Sequence, residues 1–524
     1  MTARQPGRSP LPRRLLHSDA AVLAVLVLGV LALRAPFLGN PMIHVDEQFY
    51  LLAGQRVVEG ALPYVDLWDR KPVGLFLLYA AIRLLGGTGI VEYQLVAALC
   101  AALTSFGVYG IARRGVAPPA ALAGAIAYAA MLAPLNGAGG QAPVFYNLPM
   151  TWAALLTLRA GDAAEGRSYR WLGLVAMACA GLAIQIKYLA AVEGLFLGLW
   201  LLWTGHPTGR QRPLSVLKLF RDATLFAGAA LLPTIAATGY FWWQGALEPF
   251  LQANFISIFQ RAAAPHAFEM DALSHTAWLL TLPGILAIGA LAFTWLRGPR
   301  QDRAFLSLWL IFALAGFFAI GNYFDHYALP LVAPLAVILT RLFVRRVVGP
   351  VLFALLLIQQ VAYGRARYAP TAETIAMTRA MTTDIRAVTR GGHCLFVADT
   401  PLVLYLTTHA CGPWRYSFPF HLLDGTEAGT GEADQPGAMR AILSARPGAI
   451  VTGSPQFTPT LQQANVTLLR DTLAARYVAQ GRYPDRLRTY TVWVRRDLAE
   501  AARRDRATIP GTQGRAGPTA LGQK

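Results

Sequence analysis

Eleven apolar segments occupy most of the first 364 residues, at roughly 20–38, 89–112, 119–135, 144–159, 171–187, 188–204, 220–243, 275–296, 304–320, 326–343 and 347–364. Wound as a helix, a run of about twenty such residues matches the hydrocarbon thickness of a bilayer. In that solvent each backbone amide must be satisfied within its own segment, which leaves a bundle of membrane helices as the expected architecture. The composition agrees: only 14% of the 524 residues are charged, against about 25% in soluble domains. A net charge of +18 would otherwise suggest nucleic acid. The basic residues are scattered among the spans with no aromatic-interleaved groove, so loop orientation and anionic lipid headgroups account for them better.

The same residues orient the bundle. Arg4, Arg8, Arg13 and Arg14 precede the first span, and the stretch after it, PFLGNPMIHVDE, has no small-x-small cleavage site. A retained helix with a cytoplasmic N-terminus is therefore expected. The run 72–86 is short and contains Arg83, and reads as an interfacial helix on the outer surface. Under that reading the inner loops carry 19 Lys and Arg and the outer ones 6, as the positive-inside rule requires. The acid-rich first loop then faces outward, and after eleven spans so does the C-terminus.

From about Arg365 the composition changes. Segments His393–Asp399, Ala449–Thr452 and Tyr490–Arg495 read as strands, and Pro401–Thr408 and Pro459–Ala479 as helices, with Thr458 capping Pro459. The expected organisation is a membrane domain over 1–364, a small extracytoplasmic α/β domain over 365–497 and a disordered tail over 498–524. Cys100 and Cys179 fall inside spans and read as inert. Cys394 and Cys411 share the outer domain, where an oxidising compartment permits a disulfide.

Chemistry concentrates in the first outer loop. Asp46 and Glu47 open an amphipathic helix that runs to Val58 and stops at Gly60. Asp46 reads as its N-cap, yet a carboxylate there is also placed to take a proton from a bound hydroxyl. Arg70, Lys71 and Pro72 begin the next helix. They are either snorkelling cations or a clamp in which side chains and free backbone N–H groups hold a phosphate. Lys187-Tyr188 interrupts one apolar stretch and Asp325-His326-Tyr327 opens another; both stand at outer span ends. Glu193, inside a span, demands a buried partner or a water-lined cavity. Two groups, His44/Asp46/Glu47 and His266/Glu269/Asp271, lack the spacing of a zinc site. A hard divalent cation bridging phosphate and carboxylates stays open.

The order V-D-E-x-x-Y, helix to Gly, P-Y-x-D-x-W-D-x-K-P-x-G, with Asp325–Pro330 (DHYALP) opening a late span, resembles the bacterial GT-C glycosyltransferases. The nearest groups are relatives of the protein O-mannosyltransferases, the aminoarabinose transferase of lipid A and the Rgt-type galacturonosyl transferases. The resemblance implies an inverting displacement that moves a sugar from a polyprenyl-phosphate donor to a glycan, lipid or protein acceptor outside the bacterial inner membrane. Asp46 then resembles the catalytic acid, Glu47 its neighbour, and Lys71 the donor-phosphate ligand, with Arg70 and Lys187 assisting. His44, Tyr50, Asp69, Tyr188, Asp325, His326 and Tyr327 are expected contacts. Where the aminoarabinose branch has an Arg, this chain has Phe49, so its donor identity does not carry over. A transporter or flippase of a lipid-linked sugar is the competing class. It predicts repeated halves with midplane charges, which the sequence lacks.

Overall fold

The computed structural model describes residues 18–163, 166–206, 215–295, 300–319, 321–412, 414–430, 435–456, 458, 460–486 and 488–500. By internal contacts the chain divides into two units. One is Met1–Ile375 with Thr430–Glu432, and the other is Ala376–Gly429 with Ala433–Lys524.

The first unit is mainly helical among its described residues. Its main helices are α1 (Asp19–Arg34), α2 (Val45–Val58), α3 (Val73–Arg83), α4 (Ile90–Ala112), α5 (Pro118–Leu132), α6 (Ala142–Asp162), α7 (Arg167–Ile184), α8 (Ala190–Gly205) and α9 (Val216–Trp243). They continue with α10 (His266–Leu279), α11 (Thr281–Trp295), α12 (Arg300–Ala319), α13 (Val332–Phe343) and α14 (Val348–Arg367). Each of the eleven expected segments is helical. Among the described residues seven helices are long and apolar enough to cross a membrane, or eight if the pair bent by 61° at Leu279–Thr281 forms one span. The other three expected spans are α6, α7 and α8. Of these, α6 carries the buried polar residues Asn147, Thr151 and Thr157 around an internal Pro149. Basic Arg167 and Arg170 open α7, and α8 has only 16 residues, about 24 Å of helix.

Packing explains that polarity. Helix α4 packs on α1, α5 and α6; α6 packs on α7, and α7 on α9. A helix enclosed by protein can carry polar groups that a lipid-facing one cannot. Glu193 of α8 finds the partner it needs, since Trp309 Nε1 donates to its carboxylate at 2.8 Å. The 72–86 run forms α3, at 11 residues too short to cross. It packs on α2 so closely that a Cβ on Gly54 would meet the Tyr79 backbone.

In the second unit, four strands form a mixed sheet of order β1-β2-β4-β3: Leu395–Val397, Ala449–Ser454, Tyr477–Pro484 and Thr489–Arg495. The first pair is parallel and the others antiparallel. Three strands fall where the sequence placed them; Tyr477–Pro484 corrects it. The helix expected over Pro459–Ala479 spans Gln463–Arg476, and the chain then turns extended to pair with Thr489–Arg495 through a bulge at Ala479/Gly481. Tyr477 and Val478 are strand formers, and a ready antiparallel partner overrides the end of the helical pattern. Pro459 of the expected cap lies outside the described residues, as does the tail beyond 500. Cys394 and Cys411 are joined in a disulfide.

Candidate active site

The pocket starts with a cap that the sequence assigned to the wrong residue. His44, not Asp46, caps α2, its Nδ1 accepting the Asp46 N–H at 3.2 Å. Asp46 is thereby released from helix duty and its side chain enters the pocket. Gln141 Nε2 donates to Asp46 Oδ2 at 3.0 Å and to His44 Nδ1 at 2.8 Å. His44 Nδ1 and His326 Nε2 each stand 3.7 Å from the same Oδ2. Asp46 Oδ1 has no hydrogen bond or ion pair among the described residues. Burial would raise this carboxyl's pKa, but the two imidazoles, Lys71 and the Gln141 bond outweigh it and hold Asp46 below the usual carboxylate range. The His44 pKa is also lowered, in its case by burial, which keeps the imidazole neutral.

His326 reaches Asp46 because Asp325 is tied down. Asp325 Oδ1 accepts from Thr276 Oγ1 at 2.7 Å and contacts His275 Nδ1 at 2.9 Å; its Oδ2 pairs with Arg367 at 2.5 Å. This buried carboxylate braces the turn before α13 against α10 and the end of α14. The expectation that Asp325 contacts a ligand is thus corrected, since both of its oxygens are engaged. The ring of His326 lies edge-on to those of His44 and Tyr327, with centroids 5.4 and 4.6 Å away.

A cationic wall stands beside Asp46. Lys71 Nζ is 3.5 Å from Asp69 and lies over the Tyr50 ring at 5.9 Å. Burial opposes its charge, but Asp69 and Asp46 prevail and raise its pKa. Lys187 sits in the break between α7 and α8, 8% exposed, with Nζ 4.0 Å from the Tyr327 ring centroid. Burial and nearby Lys71 push its pKa down to about 7. Tyr327 is within electrostatic reach of Lys71, Arg261 and Arg70 together. Arg261 had no place in the sequence reading. Its guanidinium is held by Asn322, whose amide oxygen, correctly oriented, accepts at 2.6 Å. Its one signal was to be the sole basic residue of the outer stretch 244–271.

The structure therefore brings His44, Asp46, Tyr50, Asp69, Arg70, Lys71, Lys187, His326 and Tyr327 around one pocket. It turns two expected members away. Tyr188 donates to Asn254 at 2.8 Å, anchoring the segment that leads to Arg261. Glu47 points into the interior beside Tyr93, Gly140 and Arg34, fully buried, where loss of solvent pushes its pKa up to about 8. Its neighbour on the helix faces the pocket, and successive helical side chains diverge by about 100°.

Residues 69–236 match the family model described as dolichyl-phosphate-mannose-protein mannosyltransferase. No curated protein sequence matches the chain. Among solved structures, ArnT from Cupriavidus metallidurans bound to undecaprenyl phosphate aligns at TM-score 0.59 and 14% identity, over 92% of this chain and 98% of its own. Its apo form aligns at TM-score 0.60 and 14% identity, over 91% and 98%. The chain has a GT-C fold. With seven or eight membrane-length apolar helices among the described residues, it is a multi-pass membrane protein.

The site also holds a donor set for a cation. His44 Nδ1, Asp46 Oδ2 and His326 Nε2 lie within 4.8 Å of one another, the one such group among the described residues. His326 thus takes the place that the sequence reading gave to Glu47, and His266, Glu269 and Asp271 are not gathered. The fit is conditional on Gln141, whose N–H groups now point at two of the three ligand atoms.

Proposed function

We propose that this GT-C protein transfers a sugar from a polyprenyl-phosphate donor to an acceptor hydroxyl at the extracytoplasmic face of the membrane. The observation that carries the reading is a half-buried Asp46 carboxylate with one open oxygen, in a cluster that also holds cations from three separate segments. The acceptor oxygen attacks the anomeric carbon opposite the phosphate, and its proton passes to Asp46. The bond from that carbon to the phosphate oxygen breaks, and its electron pair leaves on polyprenyl phosphate, so one displacement inverts the centre. Arg70, Lys71, Lys187 and Arg261 face the charge that grows on the leaving group; each such contact contributes about 3–4 kcal/mol in the transition state. Where a divalent cation binds, His44, Asp46 and His326 would hold it and it would screen the phosphate.

The undecaprenyl phosphate named for the ArnT structure supports a lipid-linked donor. The excess of basic residues in the inner loops supports eleven spans, with the first outer loop and the domain over 365–497 outside a bacterial inner membrane. The Cys394–Cys411 disulfide supports the same side. The test is transfer from a panel of undecaprenyl-phosphate hexoses and pentoses in membranes carrying wild type, Asp46→Asn or Lys71→Ala. Loss of transfer at unchanged protein levels is expected; wild-type rates from both variants would remove the assignment.

A further inference from the structure

The short segment Asn136–Gln141 (NGAGGQ) between α5 and α6 is held far more firmly than a connecting loop requires. The Arg34 guanidinium donates to the carbonyls of Gly137 and Ala138 at 2.8 Å and of Gly139 at 3.0 Å. The Tyr79 hydroxyl donates to the next carbonyl, Gly140, at 2.6 Å. Behind them the Glu47 carboxyl occupies the space a Cβ on Gly139 would need. Four successive carbonyls are thus fixed by side chains from α1 and α3. The segment ends at Gln141, fully buried at the N-cap of α6, yet its side chain makes no capping bond. It goes instead to His44 and Asp46, and its Oε1 has no hydrogen-bond partner among the described residues.

We infer that Gln141 is a positioning residue that assigns separate tasks to the two oxygens of Asp46 and, together with the Asp46 N–H, holds His44 in one tautomer. An amide N–H can only donate, so both atoms it meets must offer lone pairs. His44 therefore carries its proton on Nε2. Asp46 Oδ2 is pinned among Gln141, His44 and His326, and Oδ1 is the oxygen presented to the acceptor hydroxyl. The inference rests on Asp46 being the base and deepens that reading. It also sets Gln141 against a cation, because the amide hydrogens take the lone pairs through which an ion would bridge His44 and Asp46. A bound ion would require the amide to turn and present Oε1 instead.

The test uses the full chain in detergent with the same undecaprenyl-phosphate sugar panel, comparing Gln141→Leu, Gln141→Glu and Asp46→Asn, with thermal melts verifying folding. Gln141→Leu is expected to lower kcat by about 10- to 100-fold at nearly unchanged donor KM. Should Gln141→Leu fail to fold, Gln141→Glu decides: wild-type rates without added metal overturn the inference, and loss of kcat in a folded protein supports it. Wild-type kcat in Gln141→Leu would also overturn it, as would activity of the wild type that EDTA abolishes and Mn²⁺ restores. Should Asp46→Asn itself retain transfer, the base reading falls; should Asp46→Asn be dead and Gln141→Leu normal, only the present inference falls. A ¹⁵N spectrum of histidine-labelled wild type gives an independent readout: the Nε2–H signature is expected for His44, and an Nδ1–H signature would overturn the inference.

Discussion

Asp46 and Asp222 stand towards opposite ends of the α7–α9 helices, each among histidine and basic side chains. At the end away from Lys187, Asp222 Oδ1 meets Arg221 at 2.9 Å and Arg170 at 4.0 Å, while its Oδ2 meets His206 at 3.3 Å. Both oxygens there have a basic neighbour, and the cluster ties α7, α8 and α9 together. At the other end Asp46 has similar neighbours but keeps one oxygen open, and its nearest lysines gather on one side of it. Residue types alone do not separate a staple from a reactive site. The open lone pair and the excess of positive charge beside it do.

The largest effect expected from this contrast is on transfer itself. Asp46→Asn should cost at least about 100-fold in kcat, whereas Asp222→Asn should preserve transfer and lower stability by about 1–3 kcal/mol; rates and melting curves of the two variants side by side decide it. The cationic wall gives the next effect. With a pKa of about 7, Lys187 is charged below that pH and neutral above it. Donor KM should climb about five- to tenfold between roughly pH 6 and 8, and Lys187→Arg should flatten the profile. Asp325→Asn removes the brace behind His326, so a fall in kcat of roughly tenfold is expected together with about 2 kcal/mol of stability. Unaltered kcat would mean that His326 is held without it.

The smallest effect concerns Glu47. Its folded pKa of about 8 lies above the ordinary 4.5, so between those values the folded state keeps a proton that the unfolded state has shed. Stability contributed by this group therefore falls as pH rises through that window. Glu47→Gln should raise the melting temperature, with a gain that grows from about pH 5 to 8; a gain independent of pH would contradict a protonated, buried Glu47.

Much of this was legible in the sequence, for a physical reason. Hydrophobic periodicity and charge bias are local, so every expected apolar segment proved helical and 72–86 formed a helix of only 11 residues. The Asp46 and Lys71 motifs stood out because charge is rare in such a chain. What stayed hidden depends on distant partners. Gln141 is an unremarkable polar residue until Arg34 and Tyr79, about a hundred and about sixty positions earlier, fix its carbonyl neighbours. Arg261 joins the pocket only because Asn322 holds it. Tyr477–Pro484 becomes a strand only because Thr489–Arg495 is there to pair with it. Asp325 looked like a ligand contact because no sequence pattern reveals that Arg367 and Thr276 have already claimed it.

The disulfide between Cys394 and Cys411 has a practical corollary. The two remaining cysteines, Cys100 and Cys179, are free thiols in the helical unit, whereas the bridged pair belongs to the other unit. Alkylation of the native protein with and without reductant therefore reports on the two units separately, with no engineered tag. A maleimide that cannot cross the membrane, applied to intact cells after mild reduction, would label the bridged pair and read out which side of the bilayer the sheet unit occupies.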